Sequence, residues 1–120
     1  IVDLDTPAPL RLVAVHLGLL RAARRKQLDA IRTALQRLPV RPTVILGDFN
    51  EHSRRVGLGR IARPFIILPT AATFPSQRPF LPLDRIVHSP DLDLVPMPHE
   101  RSLGPQPSDH LPLLAELRWR

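Results

Sequence analysis

Between residues 11 and 46 the hydrophobic period changes twice, and those changes constrain the fold more than any other feature of the chain. Arg11-Leu12-Val13-Ala14-Val15-His16 is short and rich in β-branched residues, with Pro7 and Pro9 just upstream, the pattern of a buried strand. From Leu19 to Leu38 the spacing turns helical. Leu20, Ala23, Leu28, Ile31, Leu35 and Leu38 form one apolar stripe, while Arg21, Arg25, Lys26, Asp29, Arg32 and Arg37 lie off it. Pro39 and Pro42 end the helix, and Thr43-Val44-Ile45-Leu46 is a second short strand stopped by Gly47. Strand, helix and strand in this order make a βαβ unit, whose strands are adjacent and parallel or nearly so.

The remainder is broken by proline into shorter pieces. Leu83 to His88 and Leu92 to Met97 are expected strands, joined by a turn at Ser89-Pro90-Asp91. Leu113, Ala115, Leu117 and Trp119 alternate with polar residues in a half-buried last strand. No repeat or linker divides the chain. The expected class is α/β, a βαβ unit followed by short, mainly antiparallel strands.

A third of the 120 residues are Leu, Ile, Val or Phe, enough for a packed core in one domain or part of one. No apolar run reaches the ~18 residues of a membrane-spanning helix, and the start carries no signal-peptide pattern. A chain opening on Ile1-Val2-Asp3 instead of Met is expected to have been processed, cut or taken from something longer. With no cysteine, disulfides, thiol catalysis and Cys-ligated zinc are excluded, while the compartment stays open. The whole excess of +6 lies in residues 1–60, nearly all of it arginine. That half suits phosphate recognition, although a solvated basic face would look the same.

Four polar groups of residues stand at or near strand ends: His16, Gly47-Asp48-Phe49-Asn50, Asp84 and Ser108-Asp109-His110. Functional groups in α/β sheets gather outside the carboxyl ends of strands, where His16 and Asp48 fall. Each group alone has an ordinary alternative, such as a turn cap, a core histidine or a surface carboxylate. In order they are more specific. His-Leu-Gly, Arg24-x-x-Gln27 on the helix, Gly-Asp-Phe-Asn, Leu-Asp-Arg-Ile and Ser-Asp-His together resemble the endonuclease/exonuclease/phosphatase family, over about residues 12–117. That family includes deoxyribonuclease I, abasic-site endonucleases, bacterial neutral sphingomyelinases and inositol-polyphosphate 5-phosphatases.

The resemblance implies a divalent-metal-dependent phosphoesterase acting on a phosphodiester, either nucleic acid or a phospholipid-like head group. Asp48 would orient or deprotonate the attacking water and Asn50 would hydrogen-bond a phosphate oxygen. His110 would contact the scissile phosphate or act as base, with Asp84 fixing its tautomer, and His16 would be a candidate general acid. Asp109 and Asp48 would hold Mg²⁺ or Mn²⁺. These residue types suit that chemistry, because carboxylates bind hard cations and histidine exchanges protons near neutral pH. Arg54 and Arg55, with Arg60 and Arg63, could add positive potential at the mouth of the site. Phe74 and the neighbouring Phe80-Leu81-Pro82 could form an apolar rim or a wall against a sugar or base. His52, His88 and His99 match no family position and are expected at the surface.

The resemblance also implies what is missing. Family domains are roughly twice this long, and their first half supplies an Asn, the principal metal-binding Glu and the acidic partner of His16. Glu51, Glu100 and Glu116 stand in no matching context. The chain is therefore expected to be the C-terminal half of one catalytic domain, half of a deoxyribonuclease I-like four-layer α/β sandwich. One half alone would bare an apolar sheet face including Leu12, Ala14, Ile45, Ile86, Leu113 and Leu117 or their neighbours. It would then self-associate through that face or pair with the missing N-terminal half. The alternative is a non-catalytic module that binds phosphate or serves assembly.

Overall fold

The computed structural model describes residues 1–5, 7–51, 53, 64–98 and 108–120. After a short strand β1 (Val2–Leu4) come β2 (Leu10–His16), helix α1 (Arg21–Gln36) and β3 (Thr43–Asp48). As the period changes predict, β2 and β3 are parallel neighbours, in register from Arg11 against Thr43 to His16 against Asp48. Then follow β4 (Ile66–Ile67), β5 (Asp84–His88), β6 (Leu92–Met97) and β7 (Leu114–Trp119). The first five strands form one sheet in the order β1-β2-β3-β5-β4, and β6 and β7 form a separate antiparallel ribbon.

The two faces of the sheet are covered differently. On one, Val13, Ile45 and Val87 pack with Leu17, Phe49 and Leu28 of α1, all buried. Each such side chain stabilises the fold by about 1.5–3 kcal/mol. On the other, the ribbon lies over Val44, Leu68 and Ile86 through buried Leu92, helped by Leu94, Leu113, Ala115 and Leu117. Cover on that second face is incomplete. A groove of about 440 Å³, lined in part by Leu12, Leu46, Leu94 and Leu117, runs between sheet and ribbon. Leu46 is 38% exposed beside it.

Several expectations need correction. Gly47 does not stop β3 but lies inside it, at φ +138, where a Cβ would come within 2.0 Å of the Val15 carbonyl oxygen. Glycine alone lets the strand run on to Asp48. Of the residues expected on the bare face, Ile45 points to the helix side and is fully buried, and Ile86 is covered by the ribbon. Alternation along β3 places Leu46, not Ile45, on the open face. α1 is shorter than its apolar stripe at both ends, leaving Leu20 and Leu38 exposed. His88 is buried at the end of β5, with its Nδ1 2.9 Å from the Ser89 carbonyl oxygen. His52 and His99 lie outside the described residues, as does Glu100.

Strands β1 and β4 follow no local pattern. β1 is held by Arg11, which is buried and bonds both carboxylate oxygens of its cross-strand partner Asp3, at 2.7 and 2.9 Å. The same guanidinium holds the Asp3 carboxyl below its usual range.

Candidate active site

Three strand ends meet at one edge of the sheet. The parallel pair β2 and β3 ends at His16 and Asp48, while antiparallel β5 begins there with Asp84, directly across from Asp48. An antiparallel strand contributes its first residue where parallel neighbours contribute their last, so Asp84 joins the carboxyl ends without standing at one. Next to them the segment 108–111 brings in His110. It is pinned to the chain ahead of β5 by two backbone hydrogen bonds, Ser76 N–H to Asp109 O at 2.7 Å and Leu111 N–H to Thr73 O at 2.8 Å.

Asp48 is the centre of the group. Its Oδ1 accepts the backbone N–H of Asn50 at 2.8 Å, and Asn50 takes a left-handed φ of +50. Its Oδ2 faces both histidines, 3.6 Å from His16 Nε2 and 3.7 Å from His110 Nε2. Both distances exceed a hydrogen bond. His16 is far the more open of the two, with 79% of its side chain exposed.

His110 is fixed from behind. Its Nδ1 lies 2.6 Å from Asp84 Oδ2, and the same oxygen accepts the Thr73 hydroxyl at 2.6 Å. A carboxylate can only accept, so in the neutral ring the proton sits on Nδ1 and the Nε2 lone pair is turned to the cavity. The Asp84 hydrogen bond raises the His110 pKa above its ordinary 6.5, against some desolvation, with added attraction from Asp84, Asp48 and Asp109. The Phe74 ring leans on the imidazole at 4.9 Å between centroids, tilted by 47°.

These side chains enclose a cavity of about 500 Å³ lined by His16, Asp48, Asn50, Phe74, Asp84, Asp109 and His110, together with Leu19 and Leu83. Seven residues singled out in the sequence are thereby brought together. Arg54 and Arg55, with Arg60 and Arg63, lie outside the described residues. In the sequence Thr73 belongs only to a possible rim segment, Thr73-Phe74-Pro75, with no role for its hydroxyl behind Asp84. It is fully buried, and nothing in the local sequence separates its hydroxyl from that of any other threonine in a proline-rich stretch. Leu19 and Leu83, in the sequence the edges of a helix and a strand, also line the cavity, a role for which aliphatic residues carry no local signal.

The donor set suits a hard cation. Asp48, Asp84 and His110 each offer a ligand atom within 4.8 Å of the others. Of these, Asp84 Oδ2 is already engaged by Thr73 and His110 and Asp48 Oδ1 by the Asn50 N–H, while Asp48 Oδ2 faces the two histidines. Asp109, expected as a metal ligand, lines the cavity but lies outside this group. Glu51 offers nothing to this cavity, since Arg21 and Arg24 bind both its oxygens.

The model of the Endonuclease/Exonuclease/phosphatase family matches residues 3–110. The chain is 35% identical over 121 residues to YbhP of Escherichia coli and of Shigella flexneri, described only as an uncharacterized protein. That match covers 93% of this chain and 47% of YbhP. Among solved structures, the mannosyl-6-phosphatase of Bacteroides thetaiotaomicron superposes with a TM-score of 0.73 at 19% identity, over 96% of this chain and 53% of that one. An endonuclease/exonuclease/phosphatase family protein from the same organism gives 0.71 at 20%, over 94% and 51%. At such identity the superpositions speak for the fold alone. The chain spans about half the length of the relatives it matches.

Proposed function

The chain belongs to the endonuclease/exonuclease/phosphatase family, and we propose from this that it is the C-terminal half of a divalent-metal-dependent phosphoesterase domain that hydrolyses a phosphodiester by in-line attack of water. One contact supports this above the others. His110 is bound through Nδ1 to Asp84 at 2.6 Å, leaving Nε2 open towards Asp48. A histidine held in one tautomer by a carboxylate, beside a second carboxylate, can take a proton from water or hold a phosphate oxygen.

In this reading Asp48 orients the attacking water, and Asn50 donates from its amide to a phosphate oxygen. His110 contacts the scissile phosphate or takes the proton of the water, with Asp84 and Thr73 keeping its ring in place. His16 protonates the leaving oxygen from the open side. Asp48 and Asp109 hold the cation, and Mg²⁺ or Mn²⁺ bound there would neutralise the phosphate and steady the leaving oxygen. Phe74, Leu19 and Leu83 give the cavity an apolar wall, which favours a substrate with a ring or chain next to its phosphate, such as a nucleotide or a lipid head group.

The test is hydrolysis of an aryl phosphodiester and of its monoester by the protein with its complete catalytic domain, in Mg²⁺, in Mn²⁺ and in chelator. Diester turnover that chelator lowers by about 100-fold or more is expected. Preference for the monoester would replace the diester substrate with a phosphomonoester, the bond that the mannosyl-6-phosphatase is named for. No turnover of either ester with either metal would refute the enzyme.

The apolar groove beside Leu46 is covered, in this reading, by the N-terminal half, or by a second copy when the 120-residue chain is alone. Sedimentation of the isolated chain at tens of micromolar is expected to show dimers or larger species. A monodisperse monomer would contradict this.

A further inference from the structure

We propose that the buried pair of Glu51 and Arg24 is a positioning device, which presets Asn50 and the loop after β2 for the reaction without touching substrate. Glu51 directly follows Asn50 but turns away from the cavity, and its side chain is only 2% exposed. Its carboxylate accepts Arg24 Nη2 at 2.6 Å and Arg21 Nη2 at 2.8 Å, both from the first turns of α1. Arg24 is itself buried. Its other terminal nitrogen donates to the carbonyl oxygens of Gly18, at 3.1 Å, and Leu19. One guanidinium therefore joins the segment after β3 to the loop after β2.

Two further ties converge on that loop. Asn50 Nδ2 donates to the Leu17 carbonyl at 2.6 Å, and Gln27 Oε1 accepts the Gly18 N–H at 2.9 Å. Three consecutive loop residues are thus held by side chains of Asn50, Gln27 and Arg24. Apolar packing does not do this work at the loop's far end, where Leu19 is 83% and Leu20 74% exposed and the helix start lacks a side-chain cap.

A buried carboxylate between guanidinium groups adds little net stability compared with apolar residues of the same size, because desolvation offsets the attraction. Its lasting effect is geometric. With one N–H committed to Leu17, the plane of the Asn50 amide is set, and its other N–H and its Oδ1 remain for the cavity. The same loop starts at His16, whose exposed ring would otherwise be placed by its backbone alone.

A double-mutant cycle in the complete protein tests this, and only this kinetic arm rests on the phosphoesterase reading. Glu51→Gln is expected to lower kcat about tenfold in the wild-type background, and by less than about twofold when Asn50 is already alanine. Gln27→Ala, at an exposed position that buries no charge, is expected to show the same dependence with a loss of about threefold, and guards against Glu51→Gln failing to fold. Equal losses in both backgrounds would overturn the proposal, since simple destabilisation does not depend on Asn50. The second arm needs no substrate. Amide exchange at Gly18 is expected to quicken at least about tenfold in Glu51→Gln, and unchanged exchange would overturn the proposal. Quickened exchange in a protein that hydrolyses nothing would support the tie while removing the phosphoesterase reading.

Discussion

Replacing His110 by alanine in the complete protein is expected to lower kcat by about two orders of magnitude or more, the usual contribution of a positioned acid or base. The ring is the only part of His110 that reaches both carboxylates, with Nδ1 on Asp84 and Nε2 facing Asp48. Its backbone bond to Ser108 Oγ at 3.2 Å, and the neighbouring ties of Asp109 and Leu111, survive the substitution. The fold should therefore persist while the proton acceptor is lost. Steady-state kinetics on an aryl phosphodiester, with a thermal melt as control, measures this. A module that only binds phosphate would keep its affinity for inorganic phosphate almost unchanged, so a fall in kcat below about threefold would count against His110 in the chemistry.

Asp84→Asn is the second large effect, expected near 10³-fold in kcat. That lies between the 10–100-fold typical of a partner behind a functional histidine and the ~10⁴-fold seen when a serine-protease histidine is held in the wrong tautomer. An asparagine can present its N–H₂ to Nδ1, which then keeps its lone pair and moves the proton to Nε2, the side that must accept. The substitution also removes the main cause of the raised His110 pKa. Because that value stands above the ordinary 6.5, charged His110 adds stability that is complete below pH 6.5 and fades as pH rises through the raised value. In chelator, the difference in melting temperature between wild type and Asp84→Asn should be widest on the acid side of neutrality. It should narrow as the solution turns alkaline. A difference that widens with pH would contradict the assignment.

Much of this architecture was legible before any coordinates. The two period changes placed β2, α1 and β3 to within a few residues, because a strand buried against a helix and a helix with one apolar stripe both leave their spacing in the sequence. The Gly-Asp-Phe-Asn and Ser-Asp-His segments marked the residues that meet in the cavity. Other features left no such trace. β1 exists because Asp3 lies across from Arg11, and two-residue β4 exists because β5 offers an edge. Ile45 and Leu46 are equally apolar. Which of them met the helix depended on the register of β3 against β2 and β5.

The sequence by itself determined the α/β class, the parallel βαβ unit and the family, since these rest on local periodicity and on short runs of residues with little freedom of spacing. Only the tertiary structure decided that Thr73 stands behind Asp84, that Glu51 is held by arginines instead of facing the cavity, and that His88 is buried. A hydroxyl, a carboxylate or an imidazole takes its role from what lies within about 3 Å of it. In this fold those neighbours come from far along the chain, 27 residues away for Glu51 and Arg24 and 26 for His110 and Asp84.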